Sequence, residues 1–141
     1  MLFRSVSQSR YTQTLTKLVD GKDVFEYHVY LKSDGSSGEI SNAVLIDSST
    51  LEGGYPIHQI NYIEWSLSGF DVQLAFDATT DQPIFYLPAG TERLDLTRKQ
   101  PIMNLEGAGS TGDVLITTVG FTAATDIGHI ILRGRKRRTS Q

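Results

Sequence analysis

The fold is decided by the stretch Val24-Phe25-Glu26-Tyr27-His28-Val29-Tyr30-Leu31-Lys32. Phe25, Tyr27, Val29 and Leu31 are apolar, while Glu26, His28 and Lys32 stand between them. Successive side chains of an extended chain point to opposite faces, so this alternation predicts a half-buried β-strand with a wet outer face. Phe70, Val72, Leu74 and Phe76 alternate with Asp71, Gln73 and Asp77 in the same way. From Ile57 to Leu67 the alternation has two phases, Ile60/Tyr62 and then Ile63/Trp65/Leu67. Such a change of phase predicts a β-bulge, or a strand that leaves one sheet for another.

Further strands are expected over Ile40–Asp47, Ile84–Leu87, Arg93–Thr97, Val114–Val119 and Ile127–Arg133. Turn-forming runs separate them: Asp34-Gly35-Ser36-Ser37-Gly38, Glu52-Gly53-Gly54-Tyr55-Pro56, Ser68-Gly69, Thr79–Pro83, Pro88-Ala89-Gly90 and Gly107–Gly112. Glycine supplies positive φ and proline breaks a ladder, which is what those places need. No segment carries a sustained helical stripe. The expectation is an all-β fold, an antiparallel β-sandwich or jelly roll of about eight strands with less than ~10% helix. Phe25, Val29, Leu31, Trp65, Val72, Leu74, Ile116 and Leu132 are expected in its core.

A chain of 141 residues is one domain by size. It contains no cysteine, which excludes disulfides, thiol catalysis and cysteine-ligated zinc. No apolar run approaches the ~18 residues of a membrane helix. Met1–Arg10 holds no apolar h-region, so no secretory signal is expected. The ends differ from the middle. Residues 1–22, rich in Ser, Thr and Gln, are expected to form an extended arm, 23–133 the β domain, and 134–141 a basic tail. Arg133, Arg135, Lys136, Arg137 and Arg138 supply five of the thirteen basic residues. Residues 1–132 then hold eight basic against sixteen acidic side chains, a net of −8. The acidic body repels polyanions at long range, while the basic tail seeks an acidic surface or a phosphate backbone. Neither end has the apolar content to order itself. Leu2, Phe3 and Arg4, with the five tail cations, are therefore the expected partner-binding residues.

Motifs for chemistry fail on inspection. Gly107-Ala108-Gly109-Ser110-Thr111-Gly112 has the glycine spacing of a phosphate-binding loop, but Asp113 and Val114 stand where Lys and Ser or Thr are needed. His28, His58 and His129 fall on different strands without ligand spacing. Asp34-Gly35-Ser36-Ser37-Gly38-Glu39 lacks the acidic ladder of a calcium loop. Neither Gly35-Ser36-Ser37-Gly38 nor Gly109-Ser110-Thr111-Gly112 forms a nucleophile elbow. Asp71/Asp77 and Asp77/Asp81 read as solvated loop carboxylates rather than a glycosidase pair. Trp65 with Tyr62, and Phe85 with Tyr86, would form a sugar-stacking platform if exposed. Trp65 alternates with Ile63 and Leu67 and points inward, so core packing is the expectation. No catalytic residue, cofactor or metal is expected.

Gly112-Asp113-Val114-Leu115-Ile116-Thr117-Thr118-Val119-Gly120-Phe121 through Asp126-Ile127-Gly128-His129-Ile130-Ile131-Leu132-Arg133 resembles the closing hairpin of small tailed-phage virion proteins. Those proteins resemble jelly-roll or sandwich head-decoration (cement) proteins. The resemblance implies a non-enzymatic bacteriophage structural protein at the capsid surface, with capsid or other virion proteins as partners. It also implies self-association, a homotrimer being one form, and neither nucleic acid nor membrane as partner. The alternatives are a carbohydrate-binding or tail-adhesin module and a small jelly-roll coat protein.

Overall fold

A computed structural model describes residues 2–7, 11–21 and 23–137; for positions before Asp20 it describes the backbone alone. The alternation seen in the sequence becomes eleven strands: β1 (Leu2–Ser7), β2 (Tyr11–Asp20), β3 (Val24–Ser33), β4 (Ala43–Ile46), β5 (Ile57–Ser68), β6 (Asp71–Phe76), β7 (Gln82–Leu87), β8 (Gly90–Asp95), β9 (Ile102–Met103), β10 (Val114–Val119) and β11 (Ile127–Lys136). The only helical pieces among the described residues are two 3-10 turns, Ser48–Thr50 and Glu52–Gly54.

The strands form two antiparallel sheets. The large sheet runs β1-β2-β3-β11-β5-β8, with β9 also paired to β5, and the small sheet runs β4-β10-β6-β7. From β3 onward the chain passes between sheets at nearly every connection and stays within one only at the β6–β7 hairpin and at β8–β9. That order, β3-β11-β5-β8 over β4-β10-β6-β7, is a jelly roll. Each of the eight strands expected from the sequence has its counterpart.

Side chains from both inner faces meet in one core, including Phe25, Leu31, Ile63, Trp65 and Leu132 from the large sheet and Leu45, Val72, Leu74, Phe76 and Ile116 from the small one. All eight expected core residues are buried. Each such aliphatic or aromatic side chain contributes about 1.5–3 kcal/mol when taken out of water. The expected bulge is present in β5: Arg133 faces Tyr62 and Gly134 faces Ile60, so Asn61 is the extra residue that changes the phase. Gly134 is required there, because a Cβ would collide with the Gln59 carbonyl and press on the Phe25 ring. Gly69, at the crossing from β5 to β6, has φ +91° and leaves no room for a Cβ beside the Asp126 carboxylate. That carboxylate accepts the Thr122 and Ala123 amides, both at 3.0 Å, and shapes the crossing from β10 to β11.

Three expectations are corrected. Over its described residues the segment 1–22 contains two strands of the large sheet rather than a separate arm, β1 on β2 and β2 on β3. The basic segment is strand through Lys136, because β11 continues its ladder with β5 to the Lys136–Ile57 pair. Val114–Val119 and Ile127–Arg133 do not form a hairpin. β10 pairs with β4 and β6, β11 with β3 and β5, and the residues between them cross from one sheet to the other.

Candidate functional site

Strand alternation sorts the basic run onto two sides of β11. Arg133 and Arg135 face outward, while Lys136 is turned in. Arg133 Nε donates to Glu26 Oε1 at 2.5 Å, and its guanidinium lies 4.4 Å from the centre of the Tyr62 ring. The Lys136 side chain is fully buried; its ammonium pairs with Asp20 at 2.7 Å and donates to the Glu52 carbonyl at 3.0 Å. Arg137 pairs with Glu106 at 2.8 Å, and its amide donates to the Pro56 carbonyl. Arg135 is exposed and makes no ion pair with a described residue. Arg138 lies outside the described residues. The carboxylates that the tail was expected to find on other chains are thus largely supplied by its own body. Lys136 leaves the set of expected contact residues, since its charge is enclosed.

Leu2, Phe3 and Arg4 fall in β1, the outermost strand of the large sheet. Among the described residues no strand pairs with the other side of β1. An unpaired edge presents a row of N–H and C=O groups to any strand that approaches.

The outer face of the large sheet is a network of charges and rings. Burial would raise the Glu26 carboxyl, but hydrogen bonds from Arg133 and His28 outweigh it and hold the group below its ordinary range. Tyr62 donates to Glu64 at 2.6 Å, and that bond together with burial raises its phenol. His129 packs against Tyr30, ring centres 5.2 Å apart.

The small sheet carries a groove of about 520 Å³ on its outer face. Register places Tyr86 of β7 opposite Gln73 of β6, and Gln73 opposite Thr117 of β10. Thr117 Oγ1 donates to Asn42 Oδ1 and accepts from the Asn42 amide, both at 3.0 Å. Asn42 holds φ +46°, a left-handed conformation that asparagine tolerates better than most residues. One step along the strands lies an apolar row of Pro83, Ala75 and Leu115. Asp81 and Phe85 complete the lining. A register shift in β7 makes Ile84 the extra residue opposite Leu74. That bulge breaks the alternation, so Phe85 and Tyr86, adjacent in sequence, are 39% and 45% exposed. The Phe85 ring stands 6.1 Å from Trp65, which is buried and donates its indole N–H to the Pro88 carbonyl at 3.0 Å. Tyr86 donates to Asp71, whose other oxygen accepts the Ala89 amide at 2.7 Å; those two bonds lower the Asp71 carboxyl.

The remaining motif residues are occupied structurally. The Gly107–Gly112 loop is tied to the β6–β7 turn, Thr79 to Ala108 and Thr111 to Asp77. Asp34 caps its own turn through Ser36 and Ser37. His28 pairs with Glu26, and His58 Nδ1 lies 3.4 Å from Glu106 without a hydrogen bond. Among the described residues no group of three His, Asp or Glu is placed to hold a metal, and no helix is long and apolar enough to cross a membrane. The sequence reading missed the internal partners Asp20, Glu26 and Glu106, whose pairing depends on register. It also missed the row Asn42–Thr117–Gln73, for which the outward phase of Gln73 between Val72 and Leu74 was the available signal.

No protein-family model and no curated protein matches the chain. Among solved structures it is similar to an RmlC-like cupin family protein with a double-stranded β-helix fold from Methanocaldococcus jannaschii, at 9% identity and a TM-score of 0.36, over 96% of this chain and 91% of that one.

Proposed function

We propose that the chain is a non-enzymatic virion structural protein of the head-decoration type, attached to its shell by strand addition at β1. The observation that carries this reading is the open β1 edge of the large sheet. Backbone hydrogen bonds to a strand of a shell protein would supply affinity and direction there, and alternate side chains would supply selectivity. Arg135, exposed and without a carboxylate partner among the described residues, adds a charge for an acidic shell. Several copies held together would multiply weak contacts through avidity.

Sedimentation of the purified protein with undecorated shells tests this. Removing Leu2–Ser7 should lower affinity at least about tenfold and leave a cooperatively folded jelly roll. Binding should weaken only modestly as salt rises to about 1 M, because most of the described cations of the basic run are already neutralised within the chain. Full occupancy by the truncated protein would remove β1 from the mechanism.

A further inference from the structure

We infer that the groove on the outer face of the small sheet binds a neutral oligosaccharide. This is independent of the attachment at β1, on the other sheet. A pyranose ring has apolar C–H faces and a rim of hydroxyls, so its site needs an aromatic or apolar surface bordered by side chains that both donate and accept. The groove offers both in adjacent rows. Tyr86, 45% exposed, lies at one end with its hydroxyl held by Asp71, and Pro83, Ala75 and Leu115 form an apolar strip beside it. The backbone of Gln73 belongs to the sheet ladder, but its side chain makes no hydrogen bond to a described residue, so its donors and acceptor are free. Asn42 spends Oδ1 on Thr117 and keeps its amide hydrogens, and Asp81 spends only Oδ1, on the Ala78 amide.

The row from Tyr86 runs across β7, β6 and β10 to Asn42, the residue before β4. At three sheet spacings, about 14 Å, it suits a short chain of sugar rings rather than one. Its parts are held before any ligand arrives: Tyr86 by Asp71 and by its register with Gln73, and Asn42 by Thr117. Such preorganisation lowers the entropic cost of binding. Charge narrows the class. Among the described residues no Lys, Arg or His lines the groove, and its one ionisable side chain other than Tyr86 is the Asp81 carboxylate. Acidic sugars and nucleic acid are therefore repelled.

Calorimetric titration of the whole protein with cellohexaose, maltohexaose and N,N′-hexaacetylchitohexaose, and with hexagalacturonate as the anionic probe, tests the inference. The expected result is saturable binding of at least one neutral hexasaccharide with Kd in the micromolar to millimolar range, and none of hexagalacturonate. Tyr86→Ala and Gln73→Ala should each weaken that binding about tenfold or more. Gln73→Ala removes no internal bond and so separates loss of the site from loss of the fold. No response to any neutral hexasaccharide at about 10 mM, a preference for hexagalacturonate, or affinity unchanged in both variants would overturn the inference. Tighter binding of an uncharged Pro-rich decapeptide than of any hexasaccharide would overturn it in favour of a peptide groove.

Discussion

On the outer face of the large sheet, Arg133 is held by Glu26 and Tyr62, His28 by Glu26, and Tyr62 by Glu64. Across the sandwich, the groove of the small sheet holds no cation among the described residues and leaves the Gln73 side-chain amide without a partner among them. Both faces are polar, yet the large sheet has paired most of its charges internally, Arg135 excepted, while the groove keeps the Gln73 side chain uncommitted. The difference lies in pairing rather than composition. A charged residue whose partner sits in the same sheet is part of the scaffold, whereas an uncommitted amide beside an exposed ring is available to a ligand.

The largest effect should come from the most enclosed charge on the large-sheet side. Asp20→Ala leaves the fully buried Lys136 ammonium without its carboxylate and should cost about 3–5 kcal/mol in urea unfolding. Lys136→Met, which removes the charge itself, should cost less. Equal losses would mean that the ammonium recovers other partners.

An intermediate effect should distinguish charged from neutral support. Glu39, at the rim of the small sheet, accepts from Thr118 Oγ1 at 2.7 Å and from the Gly120 and Phe121 amides. Burial pushes its carboxyl up, but those three donors prevail and lower it; Glu26 is also lowered, chiefly by Arg133 and His28 against its burial. A lowered carboxyl adds stability that is present above its unfolded pKa and is lost as pH falls through the folded value. Both contributions should therefore be lost as acidification carries the pH below the ordinary carboxylate range. Glu39→Gln should cost about 1–3 kcal/mol at neutral pH and respond less to salt than Glu26→Gln, because these three donors are uncharged. Glu26→Gln should cost about 0.5–1 kcal/mol and shrink as salt screens its Arg133 partner.

The smallest effects should fall on the spare groups. Gln73→Ala and Arg135→Gln are expected to change unfolding free energy by less than about 0.5 kcal/mol. A larger loss for Gln73→Ala would show that the amide is structural and would collapse the contrast between the faces.

What the sequence made legible follows from the same distinction. Most of the jelly-roll strands could be read because one side of each is buried, and burial writes period two into the residues. The β5 bulge was legible for that reason, since an inserted residue shifts the phase of the apolar positions. β8, exposed along nearly its whole length, was placed only over Arg93–Asp95. β1 and β2, rich in Ser, Thr and Gln, carry no such alternation, and the two residues of β9 are too few to show one. The apparent hairpin of β10 and β11 came from two good strands joined by a turn. Which sheet each strand enters depends on long-range pairing that adjacency does not report. Exposure at Phe85 and Tyr86 was hidden because the β7 bulge lies in a run, Ile84-Phe85-Tyr86-Leu87, that is apolar at every position.

The place of β11 has a consequence for how the protein comes into being. It fills the slot between β3 and β5, although its residues are made after those of every other described strand. Arg133 meets Glu26 across 107 positions of chain. During synthesis, β3 and β5 must therefore wait with their facing edges unpaired, and closure of the large sheet is an event of high contact order that is deferred until β11 leaves the ribosome. Nascent chains stalled before Ile127 would expose two hungry strand edges at the centre of the sandwich rather than one at its margin, which is the species most in need of a chaperone.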